Sequence, residues 1–128
     1  MRVYIASFFD TRARLYPIRA MLREMGYVVT STWLDETPSV AEEDMVSYFA
    51  SCAQRDWEDL RSSDLLIIDT SDETPRGGRE VELGLALAWR KKVFRVGPPR
   101  NVFHYFLRGF KTWDDMLAYL KSYDAAPN

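Results

Sequence analysis

Cysteine and histidine each occur once in the 128 residues, as Cys52 and His104. A single cysteine excludes an internal disulfide and a cysteine-built metal cluster; inside a helix it reads as a small apolar side chain. A single histidine excludes a His-rich metal site and leaves a Ser-His-Asp triad only one possible base. No metal or other cofactor is expected. No apolar run reaches the length of a membrane span. The opening Met1-Arg2-Val3-Tyr4-Ile5-Ala6 passes straight into a strand pattern without a signal-peptide layout, so a cytoplasmic protein is expected. Charge of one sign does not dominate either. There are 17 basic and 19 acidic residues, a net charge of −2, and no basic stripe marks a nucleic-acid surface. Internal repeats, low-complexity tracts and linkers are absent as well.

What is present is 47% apolar and 28% charged residues, enough for a core and a solvated surface in one domain spanning 1–128. Residues 2–6 form a short apolar strand, and 7–12 (SFFDTR) a loop. Leu15, Ile18, Met21, Leu22 and Met25 fall at helical spacing over 13–25, with Pro17 expected in the first turn and Gly26 as the stop. Residues 27–33 are β-branched and aromatic, a second strand. After a turn with Pro38, a long helix is expected over 40–62, capped by Ser39 with Glu42 three residues on. Residues 65–69 (LLIID) are the continuous run of a strand covered on both faces. A polar loop over 70–78, a helix over 79–90, a strand over 93–96, a break at Gly97-Pro98-Pro99 and a final helix over 113–122 complete the order. Residues 101–108 are aromatic and ambiguous.

Strands alternating with helices imply a parallel sheet with helices on both faces. The expected fold is a flavodoxin-like α/β domain, five parallel strands in the order 2-1-3-4-5. Ligands in such sheets sit beyond the carboxyl ends of the strands at the switch between the first and third. That rule selects the loops 7–12, 70–78 and 97–101.

The second loop and the helix after it read Thr74-Pro75-Arg76-Gly77-Gly78-Arg79-Glu80-Val81-Glu82-Leu83-Gly84. Paired glycines let backbone approach a ligand, and a helix start beyond them can face an anion. No Gly-Lys-Ser/Thr follows, so this is not a P-loop. Glu82 is expected in the first turn, where the helix dipole favours an ionised carboxylate, and Gly84 where a neighbour packs closely. Ordinary acids at a helix start would look the same, and on spacing alone that plainer reading is preferred.

The chain resembles the nucleoside 2-deoxyribosyltransferase family, which includes 2'-deoxynucleoside 5'-phosphate N-hydrolases. The likeness runs from Val3-Tyr4-Ile5 to the last helix, and its most specific piece is Gly-Gly-Arg-Glu-Val-Glu-Leu-Gly at 77–84. The resemblance implies a covalent nucleophile at Glu82, a hydrogen-bonding partner for it at Tyr4, and a proton donor to the departing base at Asp56, with Asp64 as the second acid of that segment. It also implies that Asn101 reaches a neighbouring subunit's site, so a homodimer or higher homo-oligomer is expected. The position six residues before the nucleophile is often an acid or serine in the family. Here it is Arg76, which suits a 5'-phosphate, and Arg12 could add a second charge; surface exposure is the plain alternative for both.

Cleavage of an N-glycosidic bond develops oxocarbenium character at C1', so one carboxylate must stabilise that carbon and one acid must protonate the leaving base. The expected substrates are a nucleoside or nucleotide and a free nucleobase. Ser7, Asp69, Gly77 and Gly78 join the expected substrate contacts, and Phe8, Phe9 and Trp33 are expected as a stacking platform for the base. Tyr48, Phe49 and Trp57 on the long helix read as core or subunit contacts. The run Val102-Phe103-His104-Tyr105-Phe106 reads as a face buried by another subunit, with His104 structural. Two other readings stay open: a ribonucleoside 5'-monophosphate N-glycosidase, and a nucleotide-binding sensor without catalysis.

Overall fold

The computed structural model describes residues 1–37 and 41–124. Five parallel strands form one sheet in the order β2-β1-β3-β4-β5: β1 Arg2–Ala6, β2 Val28–Val29, β3 Leu65–Asp69, β4 Lys92–Val96 and β5 Arg108–Phe110. The expected fold class and strand order hold. Every residue of β3 is buried, as are Val3 to Ala6 of β1, because helices cover both faces of these two central strands. Their register pairs Val3 with Leu65 and Ile5 with Ile67.

Helix α1 (Arg12–Glu24) seats Leu15 and Leu22 in the core. Pro17 is its sixth residue, not part of its first turn, because the helix begins at Arg12. Gly26 ends it at φ +94°, with Gly26 N–H on the Arg23 carbonyl and Tyr27 N–H on that of Leu22, both at 3.0 Å. This pair of bonds closes the last turn and needs the left-handed residue that glycine supplies.

The second strand is shorter than expected. After Val28–Val29 the chain turns into a 3-10 helix, Thr32–Asp35, and Trp33 is buried with its indole N–H on the Ile5 carbonyl at 2.8 Å. Helix α2 (Met45–Arg61) begins after a 3-10 turn at Glu42–Asp44; Ser39, its expected cap, lies outside the described residues, as does the tail from Ala125. Helix α3 (Gly78–Ala88) follows the polar loop. The ambiguous stretch resolves into the short helix α4 (Val102–Tyr105) and strand β5, and α5 (Trp113–Asp124) closes the fold.

Gly97 lies where β4 leaves the sheet, at φ +108°, and a Cβ there would stand 2.7 Å from the Ser71 nitrogen. Only glycine allows the β3 and β4 exits to lie so close. Those exits and that of β1 open on the carboxyl edge of the sheet. Among the described residues no helix is long and apolar enough to cross a membrane.

Candidate active site

A cleft of about 310 Å³ opens at that edge. Ser7, Phe8, Phe9 and Asp10 line it from the loop after β1, Trp33 from the 3-10 turn, and Asp56 from α2. Thr74, Pro75 and Arg76 come from the loop after β3, and Gly78, Arg79 and Glu82 from α3. Its size is at the lower end for small-ligand sites.

Glu82 is the fifth residue of α3, one residue further in than expected and just past the first turn, so the helix dipole does not reach it strongly. Its Oε2 accepts a hydrogen bond from the Tyr4 hydroxyl. Tyr4 is fully buried in β1. Burial, followed by the charges of Glu82 and Asp56, holds the phenol well above its ordinary pKa, so it stays a donor. Burial also pushes the Glu82 carboxyl up to about 8; the Tyr4 hydrogen bond opposes the rise and the Asp56 charge adds to it. Burial therefore works against the expected ionised carboxylate, since desolvation outweighs the single donor.

Asp56 is half-buried, and its Oδ1 has no hydrogen-bond partner among the described residues. Burial raises its carboxyl to about 6; the Arg55 guanidinium opposes this, and the charges of Asp59 and Glu36 reinforce it. Burial thus raises both carboxyls of the cleft, Asp56 to about 6 and Glu82 to about 8. Such a pair suits acid chemistry beside a nucleophile. No trio of His, Cys, Asp and Glu among the described residues is grouped to hold a metal ion.

On the apolar wall, Phe9 and Trp33 lie 6.2 Å apart between ring centres, and the Arg12 guanidinium covers the Phe9 ring at 3.9 Å. Arg12 also donates to the Glu36 carbonyl. It braces the wall and does not line the cleft. Arg76 does line it, exposed, and its guanidinium makes no hydrogen bond or ion pair among the described residues.

Three other expected contacts, Asp69, Gly77 and Asn101, are absent from the lining. Asp69 is buried and committed: Oδ1 accepts from Ser71 N–H at 2.9 Å, and Oδ2 from the Trp113 indole at 2.9 Å and Arg14 at 3.3 Å. Gly77 precedes α3 as its N-cap. Asn101 caps α4 through Phe103 and His104 N–H and donates to Glu80 at 3.1 Å. Asp64 lies at the opposite end of β3, bonded to Arg2 N–H at 2.9 Å. Gly84 faces open space, with nothing near enough to require glycine.

Asp10, Thr74, Pro75 and Arg79 are cleft residues that sequence reasoning did not single out. Arg79 is buried, and its Nη1 donates to the carbonyls of Asp69 at 3.1 Å and Asp72 at 2.8 Å. Nothing in the sequence marks this arginine as buried, because arginine at a helix start is ordinarily solvated.

His104 is fully buried. Its Nδ1 accepts from Arg100 N–H at 2.8 Å, which leaves the proton on Nε2, 2.9 Å from Glu80. With both nitrogens engaged it is structural, as expected. Of the long-helix aromatics, Phe49 and Trp57 are exposed and Tyr48 is half-buried, so none of them lies in the core, the first of the two roles expected for them. Trp57 packs edge-on to Trp89 at 5.5 Å.

The sequence profile of the nucleoside 2-deoxyribosyltransferase family matches residues 3–116. Among solved structures, the chain superposes on a 2-deoxyribosyltransferase from the psychrotolerant bacterium Bacillus psychrosaccharolyticus with a TM-score of 0.71 at 22% identity, over 93% of this chain and 92% of that one. On the CMP N-glycosidase of Clostridium botulinum the TM-score is 0.65 at 18% identity, over 96% and 100% of the two chains. A conserved protein from Enterococcus faecalis V583 gives 0.61 at 14% identity, over 96% and 98%. No curated protein matches the sequence significantly. At such identities the structural likeness carries the fold, and the profile carries the family. This chain belongs to the nucleoside 2-deoxyribosyltransferase family and is an N-glycosyl transferase or hydrolase.

Proposed function

We propose that the protein cleaves the N-glycosidic bond of a 2'-deoxynucleoside or its 5'-monophosphate through an ester between Glu82 and C1', then passes the sugar to another base or to water. The observation that carries this reading is the buried Tyr4 hydroxyl donating to a Glu82 carboxyl that faces the cleft, with Asp56 in the same lining.

In the first step the C1'–N bond breaks, Glu82 bonds to C1', and the proton of Asp56 goes to the departing ring nitrogen. In the second, the incoming base or water attacks C1', the ester electrons return to Glu82, and Asp56 takes back a proton. The reactive form of the singly protonated pair is the one with Asp56 protonated and Glu82 ionised. Positive charge developing on the sugar favours that form, because it stabilises the Glu82 carboxylate. Tyr4 lowers the proton affinity of Glu82 and orients it. Phe8, Phe9 and Trp33 offer apolar surface for the base.

The unpaired Arg76 guanidinium at the cleft favours a 5'-monophosphate over a free nucleoside, and the same observation supports the second reading, a ribonucleoside monophosphate N-glycosidase. A homo-oligomer is part of the proposal. Val102, Phe103, Tyr105 and Phe106 on and beside α4, and Val46 and Phe49 on α2, are each more than half exposed, apolar surface of the kind a second copy covers.

The test uses one deoxynucleoside, its monophosphate and the matched ribonucleotide, with and without a free acceptor base. The reading expects base release from deoxy substrates and, after rapid quenching, a sugar adduct on the Glu82 peptide by mass spectrometry. Turnover of the ribonucleotide alone would overturn the sugar assignment, and no release or exchange from any substrate would favour a non-catalytic sensor.

A further inference from the structure

We infer that Glu36 is a positioning residue that holds the Arg55 guanidinium off Asp56 and so leaves Asp56 able to carry a proton. This rests on the reading of Asp56 as proton donor.

Arg55 and Asp56 are chain neighbours on α2. A guanidinium beside a carboxylate ordinarily forms a forked pair with it and keeps it ionised. Here Arg55 Nη1 lies 2.5 Å from Glu36 Oε2, whereas its Nη2 stands 3.8 Å from Asp56 Oδ1, outside hydrogen-bond range. Asp56 Oδ1 and Arg55 Nε are both buried, and neither has a hydrogen-bond partner among the described residues. Glu36 is itself held from two sides: the Tyr48 hydroxyl donates to its Oε1, and Arg12 donates to its backbone carbonyl. The Tyr48 hydrogen bond, with Arg55, keeps the Glu36 carboxyl below its ordinary pKa against a smaller opposing effect of burial, so it remains an anion at neutral pH.

The charged and titratable groups around Asp56 come from every neighbouring element. Arg55 and Asp59 share its helix, Glu36 follows the 3-10 turn, Tyr4 is on β1 and Glu82 on α3. Arg76 and Arg79 line the same cleft, but among the groups whose charge acts on Asp56 Arg55 alone is a cation. Burial raises the proton affinity of Asp56, and where the Arg55 guanidinium points adjusts it. With Arg55 diverted, the proton affinity of Asp56 stays nearer to that of Glu82. If Arg55 swung onto Asp56, the gap would widen and the reactive form of the pair would become rarer.

The test compares the full-length wild type with Glu36→Gln, Arg55→Gln and the double variant. Two readouts are taken: the pH profile of base release, and the midpoint of the Asp56 carboxyl followed by carbon-13 NMR and assigned with Asp56→Asn. Glu36→Gln is expected to move the Asp56 midpoint and the acid limb of kcat down by about one pH unit. It is also expected to lower kcat at pH 7 about tenfold with a smaller change in KM. Arg55→Gln is expected to move the midpoint up, and the double variant to stay near Arg55→Gln, because without the guanidinium Glu36 has nothing to divert. An unmoved midpoint in folded Glu36→Gln, or an undiminished downward shift in the double variant, would overturn the inference. If Glu36→Gln does not fold, Arg55→Gln decides alone, and a midpoint that fails to rise overturns it. The NMR midpoint reads the proton on Asp56 whether or not that proton reaches a substrate. Expected midpoints combined with full base release by Asp56→Asn would uphold the diversion of Arg55 and remove the donor role.

Discussion

Glu80 and Glu82 stand two residues apart on α3 and sit in opposite surroundings. Glu80 turns toward α4, where His104 reaches both its oxygens at 2.9 and 3.0 Å, Asn101 donates at 3.1 Å, and Arg79 lies at 3.4 Å. Those donors hold its carboxyl below the ordinary range, although its partial burial pulls the other way. Glu82 turns toward the cleft and has one donor, the Tyr4 hydroxyl, with burial raising it to about 8. A carboxylate saturated by donors is a fixed anion that ties elements together. One that is underserved and faces open space retains lone pairs for chemistry.

The largest separation of the two is expected in turnover. Glu82→Ala should lower base release about a thousandfold or more, while Glu80→Gln should change it only a few-fold. Equal losses in steady-state assays of the two folded variants would erase the distinction. Asp56→Asn is expected to slow base departure by about a hundredfold or more, and most for poor leaving bases; a small, uniform loss would reduce it to a positioning role. The pH profile of kcat/KM should be bell-shaped, highest between about 6 and about 8, where the Asp56–Glu82 pair holds one proton.

Stability should separate them in the other direction. Glu80→Gln weakens the tie to His104 and Asn101 and should cost about 1–3 kcal/mol in denaturant unfolding at pH 7. Glu82 is a carboxyl raised on folding, so its stabilising contribution is complete below pH 4.5 and is lost as pH rises through about 8. Glu82→Gln should match wild type near pH 4 and exceed it at pH 9 by on the order of 5 kcal/mol. Equal unfolding free energies at both pH values would contradict the burial of that charge. The smallest effect is expected at Arg76, where Ala should weaken monophosphates about tenfold in kcat/KM and leave nucleosides unchanged.

Much of the frame was legible in the sequence because buried parallel strands announce themselves. The runs 2–6 and 65–69 are continuous and apolar, and both became central strands. The edges were harder. Residues 27–33 have strand-like side chains throughout, yet pairing ends at Val29 because Trp33 is drawn into the core from a 3-10 turn. Strand β5, Arg108–Phe110, is too short and too exposed to carry an alternating pattern. In the cleft, Tyr4, Asp56 and Glu82 were marked by family resemblance and not by spacing. Asp69 and Arg12 show why: an acid at a strand end and a basic residue in a loop read the same whether they face a ligand or a structural partner. The Glu36–Arg55 pair joins residues 19 apart, and no local pattern encodes it.

Arg79 has one further consequence. Its guanidinium grips the carbonyls of Asp69 and Asp72 at once, both through Nη1. The segment carrying Thr74, Pro75 and Arg76 is thereby strapped to the sheet as part of folding itself. A ligand arriving at this wall finds its shape already made, and little of the interaction energy is diverted into ordering chain.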